Sequence, residues 1–185
     1  MQTQPPDKRT PHFRFAQPAD VSAVHALIER AYRGPETAGQ WDSESHLLQG
    51  PRTTAAYIAE RIAAPDAGFL LAEIDGEIDG CALIERRDDP DQPATAYFGM
   101  FAISPDRRGI GLGDAVLSES EARAADLWGA ARMVLTVISL RTELMAWYER
   151  RGYARTGRAL PFPFSDTTGE LRRDFDLVEL AKPLA

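Results

Sequence analysis

Residues 98–117 read FGMFAISPDRRGIGLGDAVL, and the architecture follows from that pattern. An apolar run ends at Ser104-Pro105, the glycine-rich segment Arg108-Gly109-Ile110-Gly111-Leu112-Gly113 follows, and apolar residues then recur at helical spacing from Val116. This predicts a strand, a tight loop and a helix. Glycines let backbone amides converge outward, and a helix start presents unpaired N–H groups at its positive end, so the junction suits an anionic phosphate. Arg108 adds a charge-assisted donor. A nucleotide-triphosphate loop is excluded because Asp114 and Ala115 stand where its lysine and hydroxyl belong. A dinucleotide fold fits poorly: the third glycine comes one residue early, and the next strand ends in Ser139-Leu140-Arg141 without a carboxylate for a ribose.

Upstream, residues 1–11 are polar and proline-bearing and read as a flexible leader. HFRFAQ alternates as a strand, and Val21, Val24, Leu27, Ile28 and Ala31 recur at helical spacing after Pro18 and Asp20. Residues 33–52 are weakly periodic and read as loop with at most a short helix; Thr53–Ala64 reads as a helix. GFLLAEI and EIDGCALIERR flank Asp75-Gly76, a strong hairpin signal. DDPDQPA is a surface loop, and Gly99 inside the next strand marks a bulge. Downstream, Val116, Leu117, Ser120, Ala124, Leu127 and Trp128 share one helical face expected to pack on the sheet. RMVLTVIS is a buried strand, RTELMAWYERR a helix ended by Gly152, and YARTG and FDLVELA are strands. The expectation is an α+β, mixed α/β sheet with helices on both faces, one domain over residues 12–185.

Composition narrows the work such a domain does. The 185 residues give room for one core, and a net charge of −7 supplies no field for a phosphate backbone, so no nucleic acid is expected as a partner. At 44% hydrophobic and 26% charged residues the chain is of globular type. No apolar run is long enough for a membrane span, and the single cysteine, Cys81, fits a reducing, cytoplasmic location. Cys81 lies mid-strand with no histidine beside it and reads as a small buried hydrophobe. The three histidines lack ligand spacing, so no metal is expected.

The segment FGMFAISPDRRGIGLGDAVL resembles the coenzyme A binding segment of the GNAT family of N-acetyltransferases, with Arg108, Gly111 and Gly113 at the positions of its Gln/Arg-x-x-Gly-x-Gly/Ala motif. WYERRGY, with Tyr148, Gly152 and Tyr153, resembles the family's downstream tyrosine segment, and the element order from Phe13 to Leu180 resembles the whole domain. The chain departs from many members at Arg141 and Leu144, where they carry Asn and Ala.

The resemblance implies acetyl-coenzyme A (acetyl-CoA) as co-substrate and a cytoplasmic acetyl-CoA-dependent N-acetyltransferase acting on a primary amine of a small molecule or peptide. Its pantetheine arm would pair with the strand backbone at Phe101, Ala102 and Ile103. The amides of Arg108, Gly109, Ile110, Gly111, Leu112, Gly113 and Asp114 would hold the pyrophosphate, with the Asp114 side chain turned away. Arg141 would reach an acidic group on substrate or cofactor. Tyr148 would donate a hydrogen bond to the departing sulfur as a catalytic residue. Several relatives carry a glutamate base where this chain has Tyr97, so the base is not carried over, and Glu85, with Glu73 behind it, is the candidate in its place. Acceptor binding is expected on the weakly patterned stretches 32–52 and 157–174 and beside them, with Arg33, Trp41, Tyr97 and Phe162 as candidates. Arginines there would suit a substrate carboxylate, whereas the negative chain would favour a polyamine, aminoglycoside or lysine, and the sequence does not choose. A homodimer is the family's implication for assembly. Two alternatives stay open: a non-catalytic acyl-CoA-binding sensor or interaction module, and transfer to oxygen or of a longer acyl chain.

Overall fold

Asp75 and Gly76 join two strands, β2 (Ala67–Ile74) and β3 (Glu77–Arg87), into the expected antiparallel hairpin. Both strands are buried along most of their length, the pattern of strands covered on two faces. Alternation sorts their side chains: Phe69, Leu71, Cys81 and Leu83 meet one layer of helices, while Ala72, Ile74, Ala82 and Ile84 meet another. The computed structural model of the protein describes residues 10–37, 44–87, 94–165 and 169–184. The leader expected at 1–11, Thr10 and Pro11 excepted, and the loop expected at DDPDQPA, Ala94 excepted, lie outside the described residues.

Around the hairpin the chain builds a seven-stranded sheet in the order β1-β2-β3-β4-β5-β7-β6. The remaining strands are β1 (His12–Phe15), β4 (Thr95–Ile103), β5 (Arg132–Ile138), β6 (Ala154–Pro161) and β7 (Asp176–Pro183). On one face pack α1 (Val21–Arg33) and α2 (Ala55–Ala63), whose start is capped by the Thr54 hydroxyl accepting from the Tyr57 amide at 3.1 Å. On the other face lie α3 (Leu112–Trp128) and α4 (Thr142–Glu149), burying Val116, Leu117, Ala124, Met145 and Tyr148. The fold is α+β, with a mixed sheet between two helical layers.

Three expectations need adjustment. Leu127 does not join the buried face of α3 and is 54% exposed, whereas its neighbour Trp128 packs against the core. Strand β6 extends through Pro161, so the expected loop from Gly157 begins as strand, with an irregular register between Arg155 and Ala159. The bulge in β4 is centred one residue beyond Gly99. Leu83 faces Gly99 and Cys81 faces Ala102, so β4 carries one residue more than β3, and Met100 takes φ +45°.

The bulge positions the site. Strands β4 and β5 are parallel and pair only from Thr95–Tyr97 to Arg132–Val134. Beyond Tyr97 they separate, leaving the backbone of residues 98–103 without a ladder partner on the β5 side.

Candidate functional site

Two cavities open where β4 and β5 part. The first, about 430 Å³, is lined by Phe101, Ala102 and Ile103 of β4, by Arg107, Arg108 and Gly109 of the loop, by Gly111 through Asp114 at the start of α3, and by Leu144, Trp147 and Tyr148 of α4. The second, about 320 Å³, lies on the other side of the splay among Arg33, Glu44, Arg52, Tyr97, Gly99, Thr136 and Phe162. Tyr32, Phe101, Arg141, Leu144 and Tyr148 line both, so the cavities share a wall.

The loop end of the first cavity is built for an anion. Gly111 caps α3 at φ +86°, a left-handed conformation that L side chains resist. The first intrahelical bond runs from the Ala115 amide to the Gly111 carbonyl at 3.2 Å, so the amides of Leu112, Gly113 and Asp114 precede the helical ladder at its positive end. Arg107 and Arg108 line the same end. The Asp114 carboxylate, which would repel an anion, is bound by Arg151, and that guanidinium stacks 3.6 Å over the Trp147 ring. These residues fit a pyrophosphate. Ile110 does not line the cavity: its side chain packs on the core instead. The Phe101 carbonyl accepts from the Tyr32 hydroxyl at 2.9 Å, so part of the exposed β4 edge is already engaged.

Tyr148 stands at the shared wall. It is 4% exposed, with its ring edge-on to Phe98, Trp147 and Tyr153. Burial pushes its phenol far above the ordinary tyrosine value, so it remains a neutral donor at any working pH.

In the second cavity the Tyr97 ring leans over Gly99 and its hydroxyl lies 3.3 Å from that of Thr136. A Cβ at Gly99 would come within 2.6 Å of Tyr97 Cε1, so glycine is required by this close approach. Glu44, 6% exposed, faces three guanidiniums: Arg141 Nη1 at 2.8 Å, Arg33 Nη1 at 3.2 Å and Arg52 Nε at 3.9 Å. Burial alone would raise its pKa, but Arg52, Arg141 and Arg33 outweigh burial and hold the carboxyl below the usual range.

The structure thus brings together Arg33, Tyr97, Phe162, Arg141, Tyr148 and the glycine loop except Ile110. It does not bring Glu85 to them. Glu85 lines neither cavity, and its carboxylate accepts from Arg61 at 3.1 Å and Arg87 at 3.4 Å, so the expectation of a base there is corrected. Glu73 is likewise taken up, by Arg14 and His12. Trp41 lies outside the described residues. Cys81 is fully buried and burial pushes its thiol up to about 12, which leaves no thiolate for covalent catalysis. Sequence reading missed Tyr32, Thr136 and Trp147 as lining residues; Thr136 was detectable as the polar position inside an apolar β-branched strand.

Comparison with known proteins agrees with this geometry. Residues 26–153 match the model of the acetyltransferase (GNAT) family. The chain is 30% identical over 154 residues to a mycothiol acetyltransferase of Salinispora arenicola, covering 82% of this chain and 47% of that protein. It therefore spans about half the length of that relative. Among solved structures, the ribosomal-protein-S18-alanine N-acetyltransferase of Escherichia coli superposes with a TM-score of 0.68 at 18% identity, covering 95% of each chain. A protein from Salmonella typhimurium solved with its cofactor acetyl-CoA superposes with a TM-score of 0.64 at 20% identity, again over 95% of each chain.

Proposed function

Because this chain belongs to the acetyltransferase (GNAT) family, we infer that it transfers the acetyl group of acetyl-CoA to a primary amine of a small molecule or peptide. The observation that supports this reading is Tyr148, a neutral phenol in the wall between a cavity lined by the glycine loop and a second cavity of about 320 Å³. When bound, acetyl-CoA supplies a thioester at which the amine nitrogen forms a C–N bond as the C–S bond breaks, giving an acetamide and the free thiol. Arg108 and the first amides of α3 would hold the pyrophosphate, with Arg107, whose Nε donates to Asp79 at 3.0 Å, beside them. Tyr148 keeps its proton at Oη and donates a hydrogen bond to the developing thiolate, while the proton that the attacking nitrogen sheds as it becomes an amide passes through solvent to the thiolate to give the free thiol. Among the described residues, the carboxylates lining the cavities are Glu44 and Asp114, both engaged by arginines, and no histidine lines either cavity. The acceptor therefore loses its ammonium proton to water before attack, and kcat/KM rises with pH toward the amine pKa.

A second reading, an acyl-CoA-binding module without turnover, is favoured by the engagement of those same carboxylates. Tyr148→Phe separates the two. Transfer predicts a fall in kcat of about a hundredfold, measured as coenzyme A thiol release, with calorimetric affinity for acetyl-CoA little changed. An unchanged kcat would remove Tyr148 from the mechanism, and acetyl-CoA binding without thiol release across a broad amine panel would favour the module.

A further inference from the structure

Among the described residues that line the second cavity, arginines outnumber carboxylates. Arg33, Arg52 and Arg141 converge on the single carboxylate of Glu44, and all four line that cavity. Among the described residues no other carboxylate comes within ion-pair distance of these guanidiniums. Glu29 accepts from the backbone amides of Arg52 and Thr53 at 2.7 and 2.9 Å. Among the described residues the formal balance at the cluster is three cations to one anion, in a chain whose net charge is −7. Arg52 Nε is buried and has no hydrogen-bond acceptor among the described residues, while its guanidinium lies 4.9 Å over the Tyr32 ring. Arg33 Nε donates to the Gly50 carbonyl at 2.8 Å, but a carbonyl carries no net charge, and buried positive charge that exceeds the described negative charge is costly in a cavity with room for a second anion.

We propose that the acceptor is an amine that carries its own carboxylate, of the size of an amino acid, with that carboxylate seated against Arg33 and Arg52 beside Glu44. The proposal rests on the acetyl-transfer reading above and names the acceptor class for it. Two residues that touch the cluster also form the shared wall. Arg141 bonds Glu44, Tyr32 lies under Arg52, and both line the first cavity as well as the second. An anion held at the cluster thus lies beside the wall that Tyr148 also forms, with its amine directed toward that wall. The same excess charge disfavours an ammonium cation, which lowers the acceptor pKa toward the neutral, attacking form and opposes polyamines and aminoglycosides. The carboxylate takes no part in the bond changes; its role is binding and orientation.

The test is a matched panel: L-amino acids, their carboxamides, the corresponding decarboxylated amines, spermidine and an aminoglycoside. Each is assayed by coenzyme A thiol release and by calorimetric titration into the coenzyme A-loaded protein. The expected result is a kcat/KM for the acid about tenfold or more above its amide, a ratio that narrows in Arg33→Gln and Arg52→Gln and is largely kept in Arg52→Lys. Thiol release that is equal or faster with amides or spermidine would overturn the anion site and leave acetyl transfer standing. Binding that prefers acids, with no thiol release from any amine, would keep the anion site and overturn the acetyl-transfer reading. No acid preference in either measurement would overturn the proposal outright.

Discussion

Glu44 is a buried carboxylate that stays ionised because three arginines surround it. Its folded pKa lies below the unfolded value near ~4.3, so the stability this cluster contributes is present above that pH and is lost as pH falls through the folded value. Glu44→Gln should make the acid limb of a plot of urea midpoint against pH shallower, leaving the part that Asp20 and Glu73 contribute through Arg14. It should also cost about 3–5 kcal/mol at pH 7 by leaving the guanidiniums without a counter-charge; an unaltered acid limb would count against the cluster. At this scale the sequence was uneven. Tyr148 was legible from its spacing to the glycine loop, a distance along one helix and one strand. Glu85 was misleading, because proximity in sequence to the site says nothing about Arg61, which captures it from α2.

The bulge in β4 is where an element makes the site. The apolar run from Thr95 to Ile103 announced a strand, and Gly99 announced an irregularity, but the extra residue lies at Met100. Register is set by the partner strand, and no local signal in β4 encodes how β3 will meet it. Gly99 has a different purpose, giving room to the Tyr97 ring. Gly99→Ala should push that ring off Thr136 and into the second cavity, where we propose the acceptor binds. We expect KM for the acceptor to rise severalfold with acetyl-CoA affinity little changed, and stability to fall by about 1–3 kcal/mol. Steady-state kinetics beside thermal melting would check both, and an unchanged KM would show that Tyr97 does not border the acceptor.

Across the whole molecule, the two helical layers clamp a sheet whose middle is parted, so a ligand in the gap contacts β4, α3 and α4 at once. Acetyl-CoA at a hundred times its Kd should add about 2.7 kcal/mol, which for a chain of this size raises Tm by roughly 5–10 °C. Gly111→Glu, which sets a carboxylate at the start of α3, should abolish that shift in a folded protein. A full shift in the variant would displace the anion site from the glycine loop.

Helix period, strand alternation and turn chemistry act over a few residues, and they were enough to specify nearly every element, the glycine loop and the family resemblance. The insertion of β7 between β5 and β6, the parting of β4 from β5 after Tyr97, and the gathering of Arg33, Glu44, Arg52 and Arg141 depended on packing between distant segments. The Arg141–Glu44 pair joins positions 97 residues apart. The conflict between a basic pocket and an acidic chain could therefore be resolved only in three dimensions. Net charge sums over the whole surface, whereas a bound ligand senses the few desolvated charges within several ångströms of it.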